Sequence, residues 1–352
     1  MKIKFCVKFR SIRTCFKMRN PLNSIFSWIL IISGLGLASF LLWGVNHPYE
    51  LAINSEKSIG SSSAFSSKEP ANILFLGVPG DGSRGALLTD SIFLVHLNFN
   101  QKKLSIISFP RDLWVQVPNS DQNEKINALY SLSNNNKTGF MKATSYNLIQ
   151  EKIETITGLK INYVIIFDLQ GFGKVIDALG GINIWLDKEM VDPHLTNPYD
   201  SSEIFDLSPG WHYLDGATAI KFVRTRYAPS GDFYRIDNQH IIIAALREKI
   251  NQLSNVWNLM TWFKIWQSMS NHYIANLDFN TLWELFNLFK NVKSNQIQYL
   301  SLTNRPPDNL LISSAIEGAY NNATTSVYIL LPKEGFEYYQ QIKEYIQNTI
   351  NE

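Results

Sequence analysis

The chain has 352 residues, with 32 lysines and arginines against 30 aspartates and glutamates, for a formal net charge of +2. Seven of the basic residues and none of the acidic ones precede residue 20, so the rest of the chain holds 25 basic and 30 acidic residues. This mildly acidic balance argues against a general nucleic-acid binder, and a chain of this length can bury a sizeable core.

An apolar segment near the N-terminus predicts a membrane anchor. Residues 24–45, SIFSWILIISGLGLASFLLWGV, are uncharged and long enough to cross a hydrocarbon core of about 30 Å as a helix. Trp28 and Trp43 lie near its ends, where amphipathic rings favour the membrane interface. The preceding basic residues predict that residues 1–23 form a cytoplasmic tail and that the chain after residue 46 is extracytoplasmic. A cleaved signal peptide is the alternative, but the basic region and apolar core are long for one, and no small-x-small site closes the segment.

A linker is predicted between this anchor and a folded domain. Residues 46–70 include SEKSIGSSSAFSSKEP, whose Ser, Gly and Lys content is typical of a flexible tether. Cys6 and Cys15 both lie in the tail, so the predicted outer domain has no disulfide and depends on its core. We assign residues 71–295 to an extracytoplasmic domain and residues 296–352 to strands and a helix that complete or extend it.

Apolar runs of strand length alternate with helical patterns through this domain. Strands are predicted in NILFLGV (72–78), TDSIFLVHLNF (89–99), KKLSIISFPRDLWVQVP (102–118), INYVIIFDL (161–169) and INIWL (182–186). Helices are predicted at about 140–157, 171–181, 237–253 and 256–290. Beyond residue 296, IQYLSL and TSVYILLP predict edge strands and EGFEYYQQIKEYIQNTI a closing helix. This alternation predicts one mixed α/β sandwich around a central sheet.

An arginine-rich stretch stands out at residues 222–240, FVRTRYAPSGDFYRIDNQH. It holds Arg224, Arg226 and Arg235 and no lysine. A guanidinium is a planar fork of donors that pairs with phosphate or carboxylate oxygens, which an ammonium group cannot match. The alternative is a solvated edge of surface ion pairs, which are individually weak. This stretch alone does not decide between the two interpretations.

Five stretches need a joint explanation: LLTDSIFLVHLN, SFPRDLWVQVP, EKINALYS, GFGKVIDALGGINI and SPGWHYLDGATAIKFVRTRYAPSGDFYRIDNQH. In this order, across about residues 72–250, they resemble the LytR–CpsA–Psr family of bacterial cell-envelope proteins. The segments TDS before a strand, S-x-PRD, KINA-x-Y, DALGGI, PG-x-x-x-LDG-x-x-A and VR-x-R…GD-x-x-RI-x-x-Q recur in that order in the family. The match therefore depends on the whole series rather than on any one segment.

The resemblance implies a fold, a reaction and a location. The fold would be an α/β sandwich with a hydrophobic pocket for a lipid tail. The reaction would be phosphotransfer, moving a glycopolymer from a polyprenyl-pyrophosphate carrier onto peptidoglycan, with Mg²⁺ or Mn²⁺ assisting. The protein would be a single-pass protein of the bacterial cell membrane with its catalytic domain outside, and it would not bind nucleic acid.

The resemblance also implies the site residues. Stabilising the charge on a pyrophosphate by positioned arginines and a hard cation is the main task in phosphoryl transfer. Arg111, Arg224 and Arg226 match catalytic arginines of the family, with Asp112 beside them. The full set expected to bind pyrophosphate is Arg84, Arg111, Lys125, Arg224, Arg226, Arg235 and Gln239.

Two aspartates are candidate ligands of the cation. Asp90 matches one family ligand, and carboxylates together with substrate phosphates suit Mg²⁺. The other family aspartate aligns with Pro79 here, and Asp81 follows two residues later, so Asp81 is either the replacement ligand or an ordinary turn aspartate. Asp112 has two possible roles: general base for the acceptor hydroxyl, or partner that orients an arginine.

In RIDNQH, Asn238 and His240 flank the predicted site residue Gln239. Asn238 stands where the family often has a further arginine, which bears on acceptor or lipid preference. His240 follows Gln239 and either approaches the site or is a structural histidine of the helix, and the structural role is favoured.

Two other functions remain open at this stage. The same site could use water and hydrolyse a lipid pyrophosphate, or the protein could be a sensor of wall precursors without turnover. Direct control of transcription is disfavoured, because a tail of about 23 residues has no room for a DNA-binding domain.

Overall fold

The computed structural model describes residues 4–9, 12–17, 70–80, 85–134, 145–196, 204–228, 230–252, 271–277, 292–320 and 323–351, with short pieces between 264 and 285. The chain divides into two compact units, Met1–Gly60 and Ser61–Glu352. In the first unit, β1 (Lys4–Phe9) pairs antiparallel with β2 (Ile12–Lys17). The segment predicted to cross the membrane, residues 24–45, lies outside the described residues. Within the described ranges, no helix is both long and apolar enough to span a bilayer.

The second unit contains fourteen described strands. In chain order they are β3 (Ala71–Val78), β4 (Ser91–Asn98), β5 (Lys103–Ser108), β6 (Trp114–Gln116), β7 (Asn123–Lys125), β8 (Tyr163–Asp168), β9 (Ile182–Leu186), β10 (Met190–Thr196), β11 (Ile204–Leu207), β12 (Gly210–Leu214), β13 (Tyr273–Ala275), β14 (Ile297–Ser301), β15 (Leu311–Tyr320) and β16 (Ala323–Pro332). The described helices of eight residues or more are α2 (Asn147–Thr157), α3 (Leu169–Ala178), α4 (Gly216–Arg224), α5 (Asp232–Gln252) and α6 (Gln340–Asn351), after a short α1 (Leu129–Ser133).

The central sheet has six strands in the order β13-β8-β3-β4-β5-β14. β3 runs parallel to β8 and β5 parallel to β14, while the other neighbours are antiparallel. The sheet is therefore mixed, as predicted. Its inner strands are apolar almost throughout, because both faces are covered. On β3, Leu74 and Leu76 face one apolar cluster and Ile73 faces another.

Both faces of the sheet are covered, which gives the α/β sandwich. One cluster joins the sheet to α2 and α6 through residues such as Ile149 and Ile346. On the other face, Leu285, Val292 and Ile243 pack against sheet residues such as Ile73. A third cluster lies among β9, β12, α4 and the middle of α5, with Phe222 completely buried. Asp168 caps α3 and Asp215 caps α4, each accepting a hydrogen bond from a backbone N–H three residues later.

The predicted elements are confirmed with one correction. The helix predicted at 256–290 is wrong where the chain forms β13, which pairs with β8 at the sheet edge. The strands predicted from IQYLSL and TSVYILLP are both present: the first is β14 at one edge of the central sheet, and the second is β16 in a separate hairpin with β15. Ten residues on each strand pair in that hairpin, and its first strand was not predicted.

Candidate active site

A cleft of about 720 Å³ opens where β4 begins, β5 ends and α5 starts. Several predicted site residues converge there from distant parts of the sequence. The polar residues that line it are Asp90, Ser91, Arg111, Asp112, Asp192, His194, Arg224, Arg226, Tyr227, Ser230, Asp232, Arg235, Gln239 and Tyr328.

The sheet topology brings Asp90 and Arg111 together. Asp90 directly precedes β4, and its N–H donates to the carbonyl of Gly77 at the end of β3 (2.9 Å). Arg111 follows the end of β5, which is antiparallel to β4, so both residues lie at the same edge of the sheet. Arg111 Nη1 donates to Asp90 Oδ1 at 2.7 Å. This ion pair therefore joins the TDS motif to the PRD motif.

The first turn of α5 adds a second carboxylate and a buried arginine. Asp232 Oδ1 lies 2.9 Å from Arg235 Nη2 and 3.3 Å from Arg111 Nε, and Arg235 Nη1 lies 3.6 Å from Asp90 Oδ1. Arg235 is only 4 % exposed. Two guanidiniums and two carboxylates thus form one network, in which Arg235 is buried and Asp90 is partly exposed, and each arginine is fixed by charges from more than one element.

The electrostatics of this network differ between its members. Burial opposes the charge on Arg111, but the carboxylates of Asp232 and Asp90 outweigh it and raise the pKa of Arg111. Deeper burial lowers the pKa of Arg235 from its ordinary value. The Nε donors of both arginines are buried without a hydrogen-bond partner in the described structure. Such buried donors cost free energy, and phosphate oxygens are acceptors that could satisfy them.

Asp112 and Lys125 form a separate pair beside this network. Lys125 ends β7, and its Nζ donates to Asp112 Oδ1 at 2.5 Å. Arg111 Nε is farther, at 3.9 Å from Asp112 Oδ2. The backbone carbonyl of Asp112 accepts a hydrogen bond from the N–H of Leu330 in β16 (2.9 Å). The principal ionic partner of Asp112 is thus Lys125, and a role as general base stays a prediction.

Arg224 and Arg226 lie on another wall of the cleft. α4 ends at Arg224, and the chain continues in an extended conformation through Thr225. Both arginine side chains are exposed, whereas Thr225 between them is completely buried. Within the part of the chain that the structure describes, neither guanidinium is in an ion pair. This distinguishes them from Arg111 and Arg235, which are held by carboxylates.

The other predicted residues differ in whether the structure places them at the cleft. Gln239 is buried at the cleft and donates from Nε2 to Ser91 Oγ (2.8 Å). Asn238 is buried and faces the carbonyl of Phe222 rather than the cleft. Asp81 and Arg84 lie outside the described residues, so their predicted roles stay predictions.

His240 is a packing residue in this structure. Its Nε2 lies 2.6 Å from Ser108 Oγ, and its ring packs between those of Phe93 and Tyr299. Burial lowers its pKa to about 4. The ring does not line the cleft, which agrees with the structural interpretation.

The carboxylates suit a cation bound together with substrate. Among the described residues, no group of three acidic, histidine or cysteine side chains gathers as a preformed metal site. Mg²⁺ does not require one, since it often takes one or two carboxylates and completes its shell with phosphates and water. The Asp90 side chain is 36 % exposed, so it can reach an ion in the cleft.

Four residues that line the cleft, on two strands, were not predicted from the sequence. Tyr328 and Leu330 come from β16, and Asp192 and His194 come from β10. None belongs to a motif that was recognised, and nothing local in the sequence indicates that these strands approach the arginines. Apolar side chains, among them Leu169, Leu195 and Val223, line the cleft as well.

Comparison with known protein families identifies the family of this chain. The model of the LytR_cpsA_psr family matches residues 45–337, which is most of the chain. The chain belongs to the LytR_cpsA_psr family. The resemblance inferred from the motifs is thereby confirmed.

Relatives in this family have names that state an activity. The chain is 24 % identical over 278 residues to a "polyisoprenyl-teichoic acid--peptidoglycan teichoic acid transferase TagU" of Enterococcus faecalis, covering 77 % of this chain and 84 % of that protein. It is 23 % identical over 312 residues to the TagU of Bacillus subtilis, covering 86 % and 93 %.

Solved structures of LytR_cpsA_psr proteins share the fold. The crystal structure of B. subtilis TagV matches with a TM-score of 0.59 at 23 % identity, covering 81 % of this chain and 98 % of that one. A structure of TagT bound to LI-WTA matches with a TM-score of 0.57 at 20 % identity, covering 84 % and 95 %. These likenesses support the mixed α/β architecture described above.

Proposed function

We propose that this protein is a phosphotransferase that moves a glycopolymer from a polyprenyl-pyrophosphate carrier onto peptidoglycan. The observation that carries the proposal is the arrangement of four arginines around one cleft: Arg111 and Arg235 are held by carboxylates, and Arg224 and Arg226 have no ion pair among the described residues. The names of the TagU relatives, which act from a polyisoprenyl carrier onto peptidoglycan, support the same reaction.

The transfer makes one bond and breaks one. A hydroxyl oxygen of peptidoglycan attacks the phosphorus that bears the glycan, and the bond from that phosphorus to the bridging oxygen breaks. Polyprenyl phosphate leaves, the glycan is joined to the wall through a phosphodiester, and the hydroxyl proton passes to a base. Asp112 is the candidate base, because it lies in the cleft with Lys125 beside it.

Each group of arginines has its own part in this reaction. Arg224 and Arg226 have no carboxylate partner among the described residues, so they can pair with pyrophosphate oxygens without first breaking an ion pair. Arg111 and Arg235 are preorganised by Asp90 and Asp232, which is the arrangement that stabilises developing charge most effectively. Gln239 adds to the polar lining of the cleft, and Lys125 holds Asp112, which also lines it.

A divalent cation fits beside Asp90. Mg²⁺ or Mn²⁺ held by Asp90, with Asp81 as a second ligand, would neutralise charge on the pyrophosphate. The apolar lining contributed by Leu169, Leu195 and Val223 suits the start of a lipid chain. A single membrane anchor at residues 24–45, with the cleft outside the cell, would keep the protein beside a donor that is itself in the membrane.

The test uses the full-length protein in detergent with a polyprenyl-pyrophosphate glycan, MgCl₂ and peptidoglycan fragments. Release of polyprenyl phosphate together with a glycan–phosphate–wall adduct, seen by mass spectrometry, is the expected result. Arg226→Ala should abolish release, and Lys160→Ala, at an exposed residue paired with Glu154, should not. Release without an adduct would instead indicate hydrolysis, and lipid binding without release would indicate a sensor.

A further inference from the structure

The pair Arg224 and Arg226 is separated by a buried threonine. Thr225 has backbone angles of φ −62° and ψ 138°, an extended conformation, and is 0 % exposed. The arginines on either side of it both line the cleft. The contact that holds Thr225 inward therefore fixes the backbone from which both arginines reach the cleft.

The residue that holds Thr225 is Asp192. The Thr225 hydroxyl donates a short hydrogen bond to Asp192 Oδ2, and Asp192 Oδ1 accepts from the backbone N–H of His194 (3.0 Å). Asp192 is 4 % exposed and lies in β10, a strand distant in sequence from α4. Both carboxylate oxygens are thus occupied by neutral donors, and within the described residues this buried side chain forms no ion pair with either neighbouring arginine.

A second contact joins the same two segments. The rings of His194 and Tyr227 meet edge to face, with centroids 5.5 Å apart. On β10, Asp192 and His194 are two residues apart, as Thr225 and Tyr227 are on the facing segment. β10 therefore contacts Thr225 and Tyr227, which alternate along the chain with Arg224 and Arg226.

We propose that Asp192 and Thr225 are positioning residues that set the direction of the Arg224–Arg226 pair toward the donor's pyrophosphate. The identity of this ligand rests on the proposed function. Arg226 lies beyond the end of α4, so helical hydrogen bonds do not fix it. The Asp192–Thr225 bond supplies that constraint, and so removes part of the ordering cost when an anion binds.

The experiment compares three substitutions of threonine in the full-length protein. Thr225→Val keeps the shape and removes the hydroxyl, and Thr225→Ser keeps the hydroxyl. Thr157→Val is the matched control, because Thr157 is also 0 % exposed with its hydroxyl bonded, to the carbonyl of Ile153 in α2, and it does not line the cleft. Measurements are binding of inorganic pyrophosphate by calorimetry, kcat and KM for polyprenyl phosphate release, and thermal stability.

The expected result separates positioning from stability. Thr225→Val should weaken pyrophosphate binding about 10-fold and lower kcat/KM about 100-fold, the scale of a misplacement of about 1 Å. Thr225→Ser should stay within about 3-fold of wild type, while Thr157→Val loses stability and keeps both functions. In an Arg226→Ala background, Thr225→Val should add little, because residues that act through one another are not additive.

Two results would overturn the proposal: equal functional losses in Thr225→Val and Thr157→Val, or a full Thr225→Val effect in the Arg226→Ala background. If Thr225→Val fails to fold, the double variant Asp192→Asn with Thr225→Val removes the buried charge together with its donor and is tested in the same way. Absence of release by wild type would refute the proposed function, and the pyrophosphate-binding comparison would still test the positioning role.

Discussion

Protonation of His240 should control much of the stability of this fold below neutral pH. The ring is packed between Phe93 and Tyr299, and burial lowers its pKa from 6.5 to about 4. In the unfolded chain the imidazole takes up a proton near pH 6.5, and in the folded chain it does so only near pH 4. The unfolded state therefore binds more protons between these values, and the folded state loses stability as the pH falls through that window.

The size of the effect follows from the two pKa values. For values of 6.5 and about 4, the loss relative to pH 7.5 is about 2 kcal/mol at pH 5 and about 3 kcal/mol at pH 4. Urea unfolding followed by tryptophan fluorescence, at several pH values between 7.5 and 4, gives the free energy of unfolding of wild type and His240→Asn. The difference between the two proteins should change by these amounts, whereas the packing lost with the ring contributes a constant offset.

A control variant tests the assigned cause. Ser108→Ala removes the hydroxyl beside Nε2 but leaves the ring buried, so most of the pH dependence should remain. If wild type and His240→Asn lose stability in parallel from pH 7.5 to 4, burial does not keep this histidine neutral, and the reasoning is refuted.

The other predictions concern the charged network. Arg235→Lys keeps the charge but loses the fork that meets two carboxylates, so kcat/KM should fall by about 10- to 100-fold, and an unchanged rate would contradict the role given to that geometry. Asp237→Asn weakens a half-exposed pair with Arg305 that has two hydrogen bonds, and it should cost about 1 kcal/mol or less in urea unfolding; a loss of about 3 kcal/mol would show that the pair is not screened by solvent. Asp90→Asn should abolish the increase in pyrophosphate affinity that MgCl₂ causes, measured by calorimetry with wild type alongside, and an unchanged increase would remove Asp90 from the cation site. Lys125→Met leaves Asp112 without its nearest cation, and we expect kcat to fall more than KM rises.

The motifs predicted which residues lie together at the cleft better than they predicted the contacts between them. Asp90, Arg111 and Arg235 belong to separate motifs, and the structure brings them within one network. The sequence did not show that Asp232 would lie between two guanidiniums, or that Lys125 would pair with Asp112, because those contacts depend on how β7 and α5 pack. Spacing along the chain carries no information about such distances.

The elements that were missed share a physical reason. β13 is three residues long and lies within a region of helical periodicity, so its strand pairing with β8 outweighs the local pattern. β10 contacts Thr225 through the side chain of Asp192, and both residues are buried. A single sequence does not show which polar side chains are buried, so this contact was not predicted. Longer apolar strands such as β3 were predicted because their pattern is local and continuous.

The attachment of β16 to the cleft has a consequence for the order in which the cleft is completed during synthesis. Leu330 holds the backbone of Asp112, and Tyr328 forms part of the cleft wall, yet both follow Asp112 in the sequence by more than 200 residues. The motif residues that line the cleft, from Asp90 to Gln239, are therefore synthesised before this wall. A nascent chain cannot assemble the complete cleft until β16 has emerged from the ribosome.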